Sequence, residues 1–248
     1  MSRGVYGEQS GPSPATGDSF WLPRTVASQP LPIPRTALPR AGAGEVTLCP
    51  LSGVSNEQTV PGKRYISGET FHTDHSNHPA PPKATLLFPV SLPSRGGDTQ
   101  YVNMHEAYDD LPAATKERID GLEAVHVYLS KYSPRALRAL SEQSARQVPP
   151  PGIHPLVRTH PENGRKALYL NPVRIEGIVG MEDEEALDLV GELMTHATQK
   201  KYEYRHQWRH GDFVIWDNRS VIHEANPDYD MNERRYLYRL MLKGETPL

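Results

Sequence analysis

Cysteine is almost absent. Cys49 is the only one in 248 residues, which excludes an internal disulfide framework and fits a reducing cytoplasm. Long hydrophobic runs are missing too: none approaches the roughly 18 apolar residues that signal a bilayer span. The opening stretch, MSRGVYGEQSGPSPATGDSF, lacks the apolar centre of a secretory leader. Nor does charge of one sign accumulate. With 27 basic against 30 acidic residues and a net charge of −3, the chain gives no reason to expect nucleic acid or an anionic membrane as a partner. The expectation is a cytoplasmic protein with a small-molecule partner, and a homo-oligomer is compatible with it.

Proline is plentiful and unevenly placed. About a third of the 24 prolines fall in residues 1–50, in stretches such as SQPLPIPRTALPRAGAG that carry no sustained period of 2 or 3.6. That composition reads as an extended or disordered segment, or as a loop-rich arm packed on a domain. We place the boundary at residue 50 and assign 51–248 to one folded domain.

Beyond Lys83 the pattern is regular. ATLLFPVSL, TQYVN, EAVHVYL, KALYLN, YEYRHQW, DFVIWDN and RYLYRLMLK are short strand candidates separated by turn signals. MHEAYDDLP and PAATKERIDGL read as short helices. In DEEALDLVGELMTHATQK, residues 183–200, an apolar stripe at helical spacing runs Ala186, Leu189, Val190, Leu193, Met194, Ala197. Residues 130–152, ending in VPPPG, read as a mobile loop. Many short strands with few helices predict a mostly β domain with flanking helices, a sandwich or jelly roll.

FHTDHSNH, from residue 71, concentrates metal-binding side chains. If this stretch is a strand, His72 and Asp74 share a face while His75 points away. A third ligand must come from a distance, and His223 in WDNRSVIHEANPDYD is the best candidate. Two histidines and one carboxylate make the facial triad that leaves positions open on non-heme Fe(II). With 11 histidines in the chain, this spacing alone also arises by chance. In RRYLYRL, Arg235 and Arg239 fall on one strand face with apolar neighbours. Buried there, they need anionic partners, whereas on an edge strand they would be solvated. Thr99 in GGDT offers a hydroxyl where a strand begins, or ends a plain glycine turn.

Together, FHTD, PSRGGDTQYVN, HPLVRTHPENGRKALYLN, WDNRSVIHEANPDY and ERRYLYRLMLKG resemble, in order and spacing, the taurine dioxygenase and 2,4-dichlorophenoxyacetate dioxygenase (TauD/TfdA) family. The resemblance runs from about residue 51 to the C-terminus. It implies a double-stranded β-helix and an Fe(II)- and 2-oxoglutarate-dependent dioxygenase that uses O2. It puts the metal ligands on His72, Asp74 and His223 and gives no ligand role to His75 or His78. Thr99 and Arg235 would hold the far carboxylate of 2-oxoglutarate. Arg239 would face an anionic group of the substrate, and Tyr169 would line the substrate pocket. Phe71 stands where the family usually has tryptophan, and the proline-rich 1–50 replaces a structured region that supplies one pocket wall.

Family relatives that halogenate have a small residue in place of the carboxylate, so Asp74 implies hydroxylation of a small anionic substrate with release of succinate and CO2. Two other readings stand beside it. One is a non-catalytic jelly-roll binding protein, although intact buried charges argue against a disused site. The other is a zinc hydrolase on the same ligands, which gives Arg235 and Thr99 no task.

Overall fold

The structure, a computed structural model, describes residues 48, 51–56, 66, 68–134 and 148–247. The expectation for residues 1–50 therefore lies outside the described residues except at Leu48. So does the central part of the loop expected over 130–152, and Cys49 as well.

The described chain is mostly β. Strands β1 (Ser52–Ser55), β2 (Ala84–Ser91), β10 (Val214–Asp217) and β12 (Tyr236–Leu242) form an antiparallel sheet in the order β1-β12-β2-β10. Strands β3 (Thr99–Asn103), β9 (Glu203–His206) and β11 (Val221–Ala225) form a second, in the order β11-β3-β9. Strands β4 (Glu123–His126), β5 (Gly152–Pro155) and β8 (Ile175–Ile178) make a third, and β6 (Val157–Thr159) pairs with β7 (Lys166–Leu168).

Alternation along the strands decides which faces meet. Inward residues Leu87, Trp216 and Leu237 of the first sheet pack against Tyr101 and Val221 of the second, with Trp208 closing the cluster. These two facing antiparallel sheets are the jelly roll that the strand count predicts.

The helices lie over a second core. Helix α1 (Met104–Asp109) begins where Asn103 Oδ1 accepts the backbone N–H groups of His105 and Glu106, a side-chain cap that satisfies two otherwise orphaned donors. Helix α2 (Ala113–Ile119) follows it and buries only Ile119. The 15 residues of helix α3 (Asp183–Ala197) carry Asp183, Glu184 and Glu185 in the first turn, where the helix dipole favours them. Its stripe Ala186, Leu189, Val190, Leu193 and Ala197 is buried, and Met194 packs at the margin. Burial of each leucine or valine there contributes about 1.5–3 kcal/mol. Among the described residues no helix is long and apolar enough to cross a membrane.

Three local readings of the sequence change. EAVHVYL is a strand only to His126, and KALYLN only to Leu168. More relevant to the site, FHTD is not a strand. His72 makes an isolated antiparallel bridge to His223, and Asp74 starts a turn. In that turn His75 takes φ +47°, the only positive φ outside glycine among the described residues.

Candidate metal centre

His72, Asp74 and His223 each offer one ligand atom, and these atoms lie within 4.8 Å of one another. Backbone pairing holds the two histidines together: His72 N–H donates to His223 O at 3.0 Å, and His223 N–H donates back to His72 O at 2.8 Å. Because β11 continues the ladder, His223 sits directly opposite Tyr101 on β3. His72, His223 and Tyr101 thus form one row facing the sandwich interior. The His72 and His223 rings are 4.3 Å apart, and Trp216 closes on His223 at 4.5 Å.

Hydrogen bonds orient each ligand. His72 Nδ1–H donates to Thr70 O at 2.7 Å, which fixes the tautomer and leaves Nε2 as the basic nitrogen, 3.9 Å from Asp74 Oδ1. Gly68, at φ +86°, makes room: a Cβ there would lie 2.9 Å from His72 Cε1. Asp74 Oδ2 accepts a 2.6 Å bond from the Thr85 hydroxyl, so Oδ1 is the oxygen turned to the centre. Thr85 in turn accepts from Asn218 Nδ2 at 2.8 Å, and Asn218 Oδ1 accepts from Trp216 Nε1 at 2.9 Å. Asp74, Thr85, Asn218 and Trp216 are buried, and His72 is half-buried.

Electrostatics put the ligands in metal-binding form. Burial alone would raise the Asp74 carboxyl, but His223, His72, Arg239 and the Thr85 bond outweigh it and hold the group well below the usual carboxylate range. Burial, with His72 beside it, pushes His223 down to about 3. A carboxylate and a neutral imidazole are the states that coordinate a cation. Among the described residues, two buried polar atoms beside the centre, His223 Nδ1 and Tyr101 OH, have no hydrogen-bond partner of good geometry, although the Thr99 side chain lies next to the phenol. The donor set fits a divalent first-row ion bound on one side only.

His75 and His78 do not join this set; their rings meet each other edge to face at 5.5 Å. Burial pushes His75 down to about 4.

Thr99 and Arg235 come together as a pair. Arg235 is 3% exposed, and its Nη2 donates to Thr99 Oγ1 at 3.3 Å. The glycines of GGDT shape the turn behind them. Gly96 takes φ +67° against Asp228, where a Cβ would lie 2.5 Å from a backbone oxygen. Gly97, at φ +72°, brings its carbonyl to 2.9 Å from Arg235 Nε. Thr99 Oγ1 also accepts from Trp208 Nε1 at 2.9 Å. With two donors already on its oxygen, the hydroxyl's own proton is left to donate to a ligand. Burial lowers the Arg235 guanidinium, and among the described residues no carboxylate forms an ion pair with it. A buried cation beside a hydroxyl is an arrangement that can receive a carboxylate.

Arg239 lies some four residues, about 13 Å of strand, beyond Arg235. Its Nη1 is 3.7 Å from Asp74 Oδ1 and its Nε is 3.4 Å from Ser52 Oγ. It therefore reaches the metal-ligand carboxylate and remains partly exposed. Tyr169 is 2% exposed, its ring under the Arg158 guanidinium at 5.3 Å and between His126 and His154, and among the described residues its hydroxyl has no hydrogen-bond partner of good geometry. Burial raises it far above the usual phenol value.

Sequence reasoning missed Thr85, Asn218, Trp208 and Tyr101. Tyr101 had a usable signal, since it is two residues from Thr99 and so shares its strand face. The other three depend on contacts across sheets that no spacing encodes.

Comparison with known proteins places the chain among related sequences and folds. The family described as "Taurine catabolism dioxygenase TauD, TfdA family" matches residues 27–241. The alpha-ketoglutarate-dependent 2,4-dichlorophenoxyacetate dioxygenase of Burkholderia sp. (strain RASC) is 39% identical over 179 residues, 72% of this chain and 59% of its own length. An alpha-ketoglutarate-dependent sulfate ester dioxygenase of Pseudomonas putida is 33% identical over 206 residues, covering 76% of this chain and 67% of that protein. The crystal structure of AAD-2 in complex with Mn(II) and N-oxalylglycine superposes with a TM-score of 0.70 at 31% identity, over 79% of this chain and 73% of the other. The chain spans only about three-fifths of the 2,4-dichlorophenoxyacetate dioxygenases it matches, 59% and 60% of their lengths.

Proposed function

The chain belongs to the taurine catabolism dioxygenase TauD, TfdA family, and from that premise we propose that it is an Fe(II)- and 2-oxoglutarate-dependent dioxygenase that hydroxylates a small anionic substrate. The observation that carries this reading is the convergence of three ligand atoms within 4.8 Å, with Thr99 and Arg235 set as a carboxylate receptor in the same sandwich interior. Iron held by His72, Asp74 and His223 would supply the oxidising chemistry, coupling O2 and the decarboxylation of 2-oxoglutarate to succinate and CO2 with insertion of oxygen into a C–H bond.

The residues' tasks follow from their surroundings. Arg235 and Thr99 grip the far carboxylate and so fix the keto-acid end toward the metal. Tyr101, whose buried hydroxyl lies beside Thr99 on the strand that faces His223, donates a further hydrogen bond to the bound cosubstrate. Trp216, Trp208 and the Tyr101 ring keep water from this end. Thr85 and Asn218 hold the Asp74 carboxylate in one rotamer.

Arg239 faces the substrate side and presents a partly exposed cation next to the metal ligand. It suits a carboxylate, sulfonate or sulfate ester whose reacting carbon is close to the anionic group, and Tyr169 packs on the carbon skeleton. The relatives named for phenoxyacetate and sulfate ester substrates support this class. The chain works as a cytoplasmic enzyme in this reading.

Succinate release from 2-oxoglutarate, with Fe(II), ascorbate and O2, tests the proposal. A panel of anionic and neutral compounds should stimulate it only through anionic members, and less so in Arg239→Ala. A neutral compound turned over equally by wild type and Arg239→Ala would remove the substrate assignment. Absence of succinate with every compound would remove the activity.

A further inference from the structure

A row of aromatic rings leads outward from the metal ligands. Trp216 lies 4.5 Å from the His223 ring and 5.3 Å from Tyr101. Tyr101 stacks at 6.1 Å on His223 and at 6.3 Å on Tyr204. These are the separations of packed aromatic pairs. The strand register explains the row. His223 on β11, Tyr101 on β3 and Tyr204 on β9 are successive cross-strand partners, so their side chains share one face of the sheet. Among the described residues β9 is the outer strand of that sheet. Trp216 and Tyr101 are each 2% exposed, whereas Tyr204 is 44% exposed.

The outermost ring is also the one with a base at its hydroxyl. Tyr204 O–H donates to His206 Nδ1 at 3.2 Å, and Asp212 Oδ2 accepts from His206 Nε2–H at 3.0 Å. The backbone N–H of Arg209 donates to the same carboxylate oxygen at 2.8 Å. Asp212 thus fixes the tautomer that leaves Nδ1 bare, and it stands ready to pair with the imidazolium formed if Nδ1 takes a proton. The inner rings are placed differently. Trp216 Nε1–H donates to the Asn218 amide oxygen, a poor proton acceptor. The Tyr101 phenol has the Thr99 side chain beside it, and burial pushes its ionisation far above the ordinary phenol value. An indole or phenol that loses an electron becomes a strong acid, and it is a stable resting place for the oxidation only where its proton has an acceptor. An oxidising equivalent that enters at Trp216 or Tyr101 therefore settles on Tyr204.

We propose that Trp216, Tyr101 and Tyr204 form a redox exit from the metal centre, with Tyr204, His206 and Asp212 as its terminal station. The inference rests on the dioxygenase reading and adds to it a second activity, the disposal of oxidant when no substrate is bound. In that case one oxygen atom of O2 goes to succinate and the other is left to be reduced. On each pass Tyr204 gives one electron inward through the rings and its phenolic proton to His206, and becomes a neutral tyrosyl radical. A one-electron donor of the ascorbate class then restores the phenol, and the proton returns from His206. Two passes, with two protons from solvent, convert the second oxygen atom to water and return the metal to Fe(II). The donor loses two electrons in all.

Freeze-quench electron paramagnetic resonance tests it. The Fe(II)-loaded chain with 2-oxoglutarate, its visible chelation band recorded first, is mixed with O2 without substrate or ascorbate. Wild type should form a tyrosyl radical. Tyr204→Phe should lose that signal, and Tyr238→Phe on β12, outside the row of rings, should keep it. In His206→Gln the side chain still accepts the hydrogen bond but cannot hold the proton, so the radical should decay faster. After prolonged substrate-free turnover, peptide mass spectrometry should find oxygen added to Trp216 or Tyr101 in Tyr204→Phe well above the wild-type level. A wild type that shows the chelation band but no tyrosyl radical overturns the exit and leaves the dioxygenase reading standing. So does an undiminished radical in Tyr204→Phe, or an unchanged decay in His206→Gln. A wild type that binds Fe(II) without the band removes both.

Discussion

Replacing Thr85 with valine should cost metal affinity while leaving all three ligands in place. Thr85 is fully buried, and its hydroxyl makes the 2.6 Å bond to Asp74 Oδ2 while accepting from Asn218 at 2.8 Å. Valine keeps the volume, so the change removes one charge-assisted hydrogen bond, worth about 1.5–3 kcal/mol, and leaves Asn218 Nδ2 unpaired. Asp74 can then turn away from the centre toward Arg239, whose Nη1 already lies 3.7 Å from Oδ1. Loss of such an orienting partner typically lowers metal affinity 10–100-fold. Anaerobic competition for Fe(II) against a chromophoric chelator measures it, with thermal unfolding as the check on folding. Thr85→Ser should restore most of the affinity. Unchanged Fe(II) affinity in a well-folded Thr85→Val protein would refute the orienting role.

Three further outcomes are expected. Arg235→Ala should raise the 2-oxoglutarate requirement tens- to hundreds-fold, the worth of a buried charge-assisted pair, with little change in Fe(II) retention. Steady-state succinate assays and the chelator competition separate the two, and Tyr101→Phe should show a smaller effect of the same kind. His75→Asn, chosen because asparagine tolerates the φ of +47°, and His78→Ala should both retain Fe(II), whereas His72→Ala should lose it. Stability of the metal-free protein should fall as pH drops below the unfolded histidine value near 6.5. His126 is pushed by burial down to about 3. Between those values the unfolded chain binds a proton that the folded chain does not, so stability rises with pH at about 1.4 kcal/mol per pH unit for each such histidine. Urea unfolding at pH 4.5 and pH 6 should show that slope reduced by about this amount in His126→Asn, and an unchanged slope would mean the folded protein accommodates the charge.

Local patterns carried much of the fold. The α3 stripe, the short helix in MHEAYDDLP and the strand candidates ATLLFPVSL and RYLYRLMLK all depend on neighbours a few residues apart, and all were legible. Strands β1, β5, β6 and β8 were not, because three or four residues such as Val157–Thr159 hold no period long enough to read. The ligand triad was legible as residue types in spaced blocks, but the reason first given for its geometry was wrong. A strand was expected to bring His72 and Asp74 together, and instead a bridge to His223 and a turn do so.

Anaerobic addition of 2-oxoglutarate to the Fe(II)-loaded chain tests the central claim most directly, because bidentate chelation by a keto acid gives a visible charge-transfer absorption independent of any substrate. Wild type should develop that band at one equivalent of iron, Asp74→Ala should lose it, and Arg235→Ala should need higher 2-oxoglutarate concentrations to reach it. A wild type that binds Fe(II) but develops no band, or an Asp74→Ala protein that develops it undiminished, would rule out a keto-acid-binding iron centre on these three ligands.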